Sequence, residues 1–431
     1  MSASIVSRDS NSVTIQVRIE FSDSMMNCEE AILGGVNEVG VLGTGEALKR
    51  FDTNGEPILV GGIKMTSKGL SHHVYQCPYG PVSMERHTYQ SSRGGAMFCP
   101  VDDRARIVVT STPRFAKMVS SKFAEMDTRA VIRDFAESNG RRVVLCFIQQ
   151  LVDAVGAVAL AAEEHWEYET PKLDVPVKFI TIGVDGTCMR MCDGDFRQAM
   201  VGTLGLYDRH GTRMHTTYVG AAPEFGREKF VARMEKEIDH IKTLYPKALY
   251  IGLADGAKTN WDLLDKHTEV QVIDFYHATE YLTKVADVVF KKSIDQRDDW
   301  LDSACHRLKH ELGAPTQLIK EMARFENSRR MSEANKQIIE TSAEYFRKHK
   351  HQMPYARHTR AEMPIGSGDT EGACKVIIKE RLCCSGMRWT PDGAAIVISL
   401  RCLTHTPGNW SQFWDKVNLR GYSIGKVSTF A

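Results

Sequence analysis

The spacing of apolar residues changes character along the chain, and the clearest pattern begins near Val175. Three runs read as strands: VKFITIGVD (177–185), AMVGTLGLYD (199–208) and RMHTTYVGAA (213–222), with Arg209-His-Gly211 turning between the last two. A charged amphipathic helix follows over Gly226–Leu244, with Phe230, Met234, Ile238 and Ile241 on one face. ALYIGLAD (248–255) predicts a fourth strand, Gly256 to His267 a short helix, and VQVIDFYH (270–277) a fifth strand running into another helix. The order β-β-β-α-β-α-β-α predicts an α/β core: a mixed sheet with helices on both faces.

Around this core the patterns differ. Residues 1–60 predict a strand from Val13 to Phe21 and a helix around Cys28 to Phe51, interrupted by Gly34 and Gly35 and closed by the turn Asp52 to Gly55. From His72 to Thr112, short glycine-punctuated β-like runs include RIVVTST as a strand. This piece carries Cys77, Cys99, His72, His73 and His87, a weak match to a Zn2+ knuckle because neither cysteine belongs to a CxxC pair. The stretch 113–156 reads as helical. Within it a helix from Thr128 to Glu137, the turn Ser138-Asn-Gly140 and a second helix from about Val144 trace a helix-turn-helix outline, with Arg141 and Arg142 near the second helix as DNA-binding candidates. Between Tyr281 and Arg360 the pattern is helical and charge-rich, an insertion in the core. The expected organisation is an N-terminal α+β region (1–112), a helical DNA-binding domain (113–172), the first part of the core (173–280), the insertion (281–360) and the last part of the core with a basic C-terminal region (361–431).

Composition narrows the class. With 431 residues, 42% hydrophobic and 25% charged, the chain resembles ordinary globular proteins and excludes fibrous or disordered ones. No run of about 18 apolar residues lacks a charge, and the N-terminus does not read as a signal peptide, so a cytoplasmic protein with reduced thiols is expected. Net charge is only +1, yet it is unevenly spread: from Arg324 onward 17 Lys and Arg face 10 Asp and Glu, an excess of +7 that leaves −6 for the first 323 residues. An acidic body with a basic last quarter suits a protein that gathers cations in one place and phosphates in another.

The candidate chemistry fits that division. Asp185 follows the buried-type strand ITIGV and precedes Gly186; Asp255 follows YIGLA and precedes Gly256. Glu371 opens the helix after Gly366-Ser-Gly368. The acids are 70 and 116 residues apart, and the second gap holds the insertion. Three such carboxylates can hold two Mg2+ about 3.5 to 4 Å apart, with Mn2+ as a substitute. Downstream, Lys375 and Lys379 fall on one helix face, followed by Arg381 and Arg388, a set suited to a DNA backbone. His306 and His310 form H-R-L-K-H, which lacks the glutamate of a zincin and reads as a solvated face.

The blocks VDGTCMRM, AMVGTLGLYD, GAAPEFGREKF, LADGAKTNWDLL, VIDFYHATEYL and PIGSGDTEGACKVIIKERLCCSGMRW, in this order, resemble those of bacterial insertion-sequence transposases of the ISKra type, a DDE group with a ribonuclease H-like core. FDTNGEPI and TPRFAK extend the resemblance towards the N-terminus. It implies Asp185, Asp255 and Glu371 as catalytic, metal-binding acids. Asp274-Phe-Tyr-His277 resembles the C/D-x-x-H element of Mutator-like transposases, which puts His277 beside the reacting phosphate. The implied partners are double-stranded DNA, both element terminal inverted repeats and target, and further copies of the chain. Two alternatives keep the fold: a nuclease or resolvase without strand transfer, and a domesticated, non-catalytic DNA-binding protein.

Overall fold

The computed structural model describes residues 2–223, 226–328 and 331–422. The chain divides into two units, the first formed by residues 1–169, 392–404 and the segment from Gly408, the second by Thr170–Pro391 with His405–Pro407.

In the first unit a hairpin of β1 (Ser2–Arg8) and β2 (Val13–Arg18) leads into the long helix α1 (Met25–Lys49). Gly34 and Gly35 do not interrupt α1, contrary to expectation. A Cβ on Gly35 would press on Val17 and Ile19 at 3.2 to 3.3 Å, so this glycine lets the helix lie close to the end of β2. An antiparallel sheet follows, β3 (Ile58–Val60), β4 (Ile63–Gln76), β5 (Pro81–Ser91) and β6 (Gly94–Phe98), paired in chain order. The strand expected over RIVVTST does not form. The short helix α2 (Pro100–Arg104) precedes it, and the run itself folds into a tight turn in which Arg106 and Val109 adopt positive φ, which breaks an extended run. Three helices come next: α3 (Pro113–Glu125), α4 (Thr128–Asn139) and α5 (Leu145–His165). Asp127 caps α4 by accepting from the amides of Arg129 and Ala130, and left-handed Gly140 ends it. By length and composition α5 is apolar enough to cross a membrane. Its apolar face is nevertheless buried within this unit, with Phe147 stacked on Phe115 and Gly156 against Ile396.

The second unit is built on a five-stranded sheet. In chain order its elements are β7 (Phe179–Arg190), β8 (Phe196–Tyr207), β9 (Arg213–Ala221), α6 (Gly226–Leu244), β10 (Leu249–Ala254), α7 (Lys258–His267) and β11 (Val270–Ile273). The spatial order is β11-β10-β7-β8-β9: β7 to β9 form an antiparallel meander, while β10 and β11 add in parallel beside β7. β11 is shorter than expected because Asp274 ends it, accepting from the His277 amide to start α8 (Phe275–Val289). The predicted insertion consists of α9 (Ile294–His310), α10 (Ala314–Glu326), α11 (Glu333–His349) and, after a 3-10 turn at Lys350–Gln352, α12 (Tyr355–Arg360). Leu308, Leu318, Met322, Phe346 and Tyr355 share one hydrophobic core with Ile180 and Ile251 of the sheet, so these helices extend the core.

The chain then forms α13 (Gly368–Ala373), which passes through a π-helical turn at Cys374–Lys379 into α14 (Glu380–Leu382). The last helices, α15 (Pro391–His405) and α16 (Asn409–Arg420), depart from the expected division. Residues 392–404 and those from Gly408 belong to the first unit, so the sheet-bearing unit ends at Pro391 apart from His405–Pro407. The reason is composition. Ten residues of α15 are buried, and among them Arg401 bonds the Ala124 carbonyl at 2.6 Å and Glu125 at 2.9 Å.

Gly183 is where the helix carrying Glu371 meets the sheet. A Cβ there would collide with the Thr370 hydroxyl, which hydrogen-bonds Thr203 of β8 at 2.8 Å. Gly183→Ala should therefore destabilise the protein by about 1–3 kcal/mol through overpacking, read as a lower denaturant midpoint. An unchanged midpoint would show that α13 docks elsewhere.

Candidate active site

β10 runs parallel to β7 with Leu253 opposite Gly183, so two residues further along each strand Asp255 and Asp185 reach the same level of the sheet. Asp274 stands at the same edge, one strand further out, its amide bonded to the Ala254 carbonyl at 3.0 Å. The carboxyl ends of parallel strands thus bring together acids far apart in sequence, at the edge where α/β sheets commonly bind ligands. Asp185 is not at a strand end, as the sequence suggested. β7 continues to Arg190, paired only with β8 after β10 has ended, and this leaves the Asp185 side chain half-buried beside a gap in the sheet.

Each carboxylate is held differently. Asp185 accepts from the Gly186 amide at 2.7 Å and faces the Cys374 thiol at 3.4 Å. Asp255 accepts from the Ala257 amide at 3.1 Å and from Asn260 Nδ2 at 3.3 Å. Asn260, buried on α7, also donates to the Val184 carbonyl at 3.2 Å, and its own oxygen accepts from Arg227 at 3.0 Å. One side chain therefore ties together the two strands that carry the acids. Tyr345 of α11 donates to the Asp255 carbonyl at 3.1 Å, which anchors this loop to the helical layer. Burial, with Tyr281 and the carboxylates of Asp255, Asp274 and Glu280 nearby, raises the Tyr345 phenol well above its ordinary value, so it remains a donor.

Glu371 lies on the first turn of α13, three residues before Cys374 and so on the same side of the helix. Just upstream, Asp369 accepts from Tyr207 and Arg213, and Ser367 donates its amide to Asp274. The Glu371 carboxylate has no hydrogen-bond or ion-pair partner among the described residues. Its pKa is raised, first by lost hydration at the carboxyl end, then by the charges of Asp274 and Asp185 and more weakly Glu280, with His277 opposing. Those causes place Glu371 within electrostatic reach of Asp185, Asp274 and His277. His277 is half-buried, with Nδ1 3.4 Å from Glu280, and meets the rings of Tyr281 and Tyr345 edge-on. Asp274 itself is buried, and each of its oxygens accepts from a backbone amide, so it acts as a cap that shapes the edge.

The donors are hard oxygens that repel one another, and no Lys or Arg is ion-paired with Asp185, Asp255 or Glu371 among the described residues. That chemistry suits Mg2+ or Mn2+. Yet no group of three His, Cys, Asp or Glu side chains among the described residues stands at metal-holding distance, so an ion would have to draw these carboxylates inward. Zn2+ fits the N-terminal region poorly. Cys77 and Cys99 lie in an apolar cluster with Leu48, Tyr75 and Val82, and burial raises the Cys99 thiol away from the thiolate a zinc ligand needs. His87 faces Asp52 at 3.2 Å and His73 packs on Tyr75.

The basic candidates divide. Lys375, Lys379 and Arg388 are exposed and available to a polyanion. Arg381 requires correction: it is 3% exposed, with its guanidinium over Trp389 and Nη1 3.5 Å from the Met387 sulfur. Arg141 is corrected likewise. It is 5% exposed, bonds the Cys77 carbonyl at 3.2 Å and the Gln76 amide oxygen at 2.7 Å, and sits over the Phe115 ring. Arg142 is exposed, but the helix it precedes opens on Leu145, Cys146 and Phe147, a first turn without side-chain donors for base edges. Asn260, Cys374, Asp369 and Tyr345 were not singled out from the sequence. Asn260 lies in the quoted block LADGAKTNWDLL, and Asp369 and Cys374 lie in PIGSGDTEGACKVIIKERLCCSGMRW, while Tyr345 lies in none of the quoted blocks.

No protein-family model matches this chain, and no curated protein matches it.

The raised pKa of Glu371 gives a measurable sign. With metal chelated, the folded chain holds this proton more tightly than the unfolded one, so the contribution of Glu371 to stability falls as pH rises from about 4.3 through the raised value. Glu371→Gln removes that loss. In chemical denaturation with chelator, the variant should gain on the wild type across this window and the gap should then level off. A gap that does not change with pH would take Glu371 out of the acid cluster.

Proposed function

We propose that this protein is a DDE transposase with a ribonuclease H-like catalytic core, acting on the ends of a DNA element and on target DNA. One observation carries the reading. Asp185 and Asp255 stand level on neighbouring parallel strands, and the helix bearing Glu371 is docked on the same strand at Gly183, with Cys374 against Asp185. The strand order β11-β10-β7-β8-β9, a three-stranded meander extended by two parallel strands, supports the same core. The motif blocks around these acids supply the specific link to insertion-sequence transposases.

Asp185, Asp255 and Glu371 would hold two divalent cations, Mg2+ or Mn2+. When bound, these provide the Lewis acidity that activates an attacking oxygen and stabilises a leaving one. The chain's own residues position the substrate. Asn260 and Tyr345 fix the Asp255 loop, the Asp369 contacts to Tyr207 and Arg213 fix the start of the Glu371 helix, and Lys375 and Lys379 grip the DNA backbone beside the cut. His277 contacts the scissile phosphate or orients the attacking group. Water attacks a phosphodiester at the element end and the P–O3′ bond breaks; the freed 3′-hydroxyl then attacks a phosphodiester of target DNA, whose own P–O3′ bond breaks to release a target 3′-hydroxyl. No covalent enzyme intermediate is needed. The protein works in the bacterial cytoplasm as a dimer or larger homo-oligomer that pairs two ends.

One observation favours a second reading, a DNA-binding protein without catalysis: the three acids do not form a ready-made metal cluster. Labelled donor ends incubated with plasmid and Mg2+ separate the possibilities. The wild type should cut the ends and join them to the plasmid, and Asp185→Ala should lose both reactions by at least about 100-fold while retaining end binding. Cutting without joining points to a nuclease, tight binding without cutting to the non-catalytic protein, and cutting by Asp185→Ala rejects the assigned acids.

A further inference from the structure

Between Tyr345 and Ala361 the chain carries Arg347, Lys348, Lys350, Arg357 and Arg360 together with His349, His351 and His358, and no Asp or Glu. This stretch covers the end of α11, the 3-10 turn and α12, in the helical layer of the second unit. The residues differ in their engagement. Arg347 is paired with Glu340 and Glu344, Arg360 reaches the His310 carbonyl at 3.5 Å, and His349 and His358 are buried. Lys348, Lys350, His351 and Arg357 are exposed, and none has a carboxylate partner among the described residues.

Two open cavities meet here. One, of about 300 Å³, is lined by Lys350, His351 and Arg357; the other, of about 580 Å³, runs along the edge strand β11 past Val270 and Gln271 and is lined again by His351 and Arg357. His351, Pro354 and Arg357 border both, so the two form a continuous furrow with Arg357 on its shared rim and Lys350 on the wall of the smaller cavity. Each cavity has one acid in its lining, Glu311 in the first and Glu269 in the second, and Glu269 already accepts from the Tyr250 amide at 2.9 Å. The furrow offers no deep apolar enclosure for a small molecule, whereas two exposed cations without carboxylate partners among the described residues, Lys350 and Arg357, in an open channel match neighbouring phosphates.

We propose that this furrow is a second DNA-binding surface, separate from Lys375 and Lys379, which takes the phosphate backbone of duplex DNA without reading its sequence. The assignment of duplex DNA rests on the proposed function. The cation pair itself does not, and the two can fail separately. The surface accounts for part of the basic excess of the last quarter that the active site leaves unexplained, and it gives the helical layer a role in holding DNA.

The test uses the full chain in EDTA, so that binding is measured without catalysis. Fluorescence anisotropy with a labelled 30-base-pair duplex is followed from 50 to 200 mM salt for the wild type, for K350A/R357A and for K350R/R357K, with thermal melting as a folding control. Each phosphate contact contributes about 0.9 to the slope of log K against log salt. The double alanine variant should therefore lower the slope by about 1.8, so that raising salt fourfold costs the wild type about 12-fold more affinity than the variant. The conservative pair should keep the wild-type slope, and inorganic phosphate at millimolar concentration should not compete. Identical slopes for wild type and a folded K350A/R357A overturn the proposal, as does the absence of duplex binding by the wild type. Preferential binding of a single strand or an RNA duplex overturns the assignment of duplex DNA. Loss of slope in K350A/R357A, in a protein that never cuts DNA, would uphold this surface and reject the transposase reading.

Discussion

Like charges gathered at one edge of a sheet set the main constraint on this fold. Asp185, Asp255 and Asp274 end up side by side because β7, β10 and β11 run parallel in register, and Glu371 is added from a helix. In water such carboxylates would separate. Here the backbone holds them, and the surrounding packing must resist their repulsion. Asp274 escapes the problem by giving both oxygens to amides, while Glu371 binds its proton more tightly than usual. Under the proposed function, the remaining charge is what would attract divalent cations to this edge.

The means of holding them are ordinary packing devices placed with care. Gly183 removes the one methyl that would keep α13 off the strand, Thr370 and Thr203 close that contact with a hydrogen bond, and Asn260 bridges the two acid-bearing strands. The π-helical turn at Cys374–Lys379 follows directly, and such turns occur often at functional sites. It widens the helix where Cys374 faces Asp185 and where the basic side chains begin. The helical layer contributes through Tyr345, whose ring stacks on Tyr281 at 3.9 Å and whose hydroxyl reaches the Asp255 loop. The insertion thus reaches the acids directly.

Much of the sheet-bearing unit was legible because strong local patterns agreed with the global fold. Five apolar strands, the amphipathic helix at 226–244 and the helical stretch after Tyr281 all appear where periodicity placed them, and Asp185 and Asp255 could be chosen from the residues beside them. What failed was whatever depends on distant partners. RIVVTST has the composition of a strand, yet positive φ at Arg106 and Val109 turns it. Gly34 and Gly35 look like a helix break, yet α1 runs through both and Gly35 serves close packing. Arg141 and Arg381 read as free cations, although Phe115 and Trp389 lie beneath them, because sequence does not reveal which arginines an aromatic ring will cover. The role of Asn260 escapes for a related reason: its value lies in a carbonyl 76 residues upstream.

The return of residues 392–404 to the first unit has an architectural meaning. The sheet-bearing unit is a nearly continuous guest, entered at Thr170 and left at Pro391, inside a host assembled from both ends of the polypeptide. During synthesis the described part of the host is not completed until α16, ending at Arg420, has left the ribosome, whereas the guest has almost all of its chain by Pro391, 29 residues earlier, lacking only the short return at His405–Pro407. Trimming the C-terminal helices would therefore harm the region that begins the chain before it harmed the carboxylates in the middle.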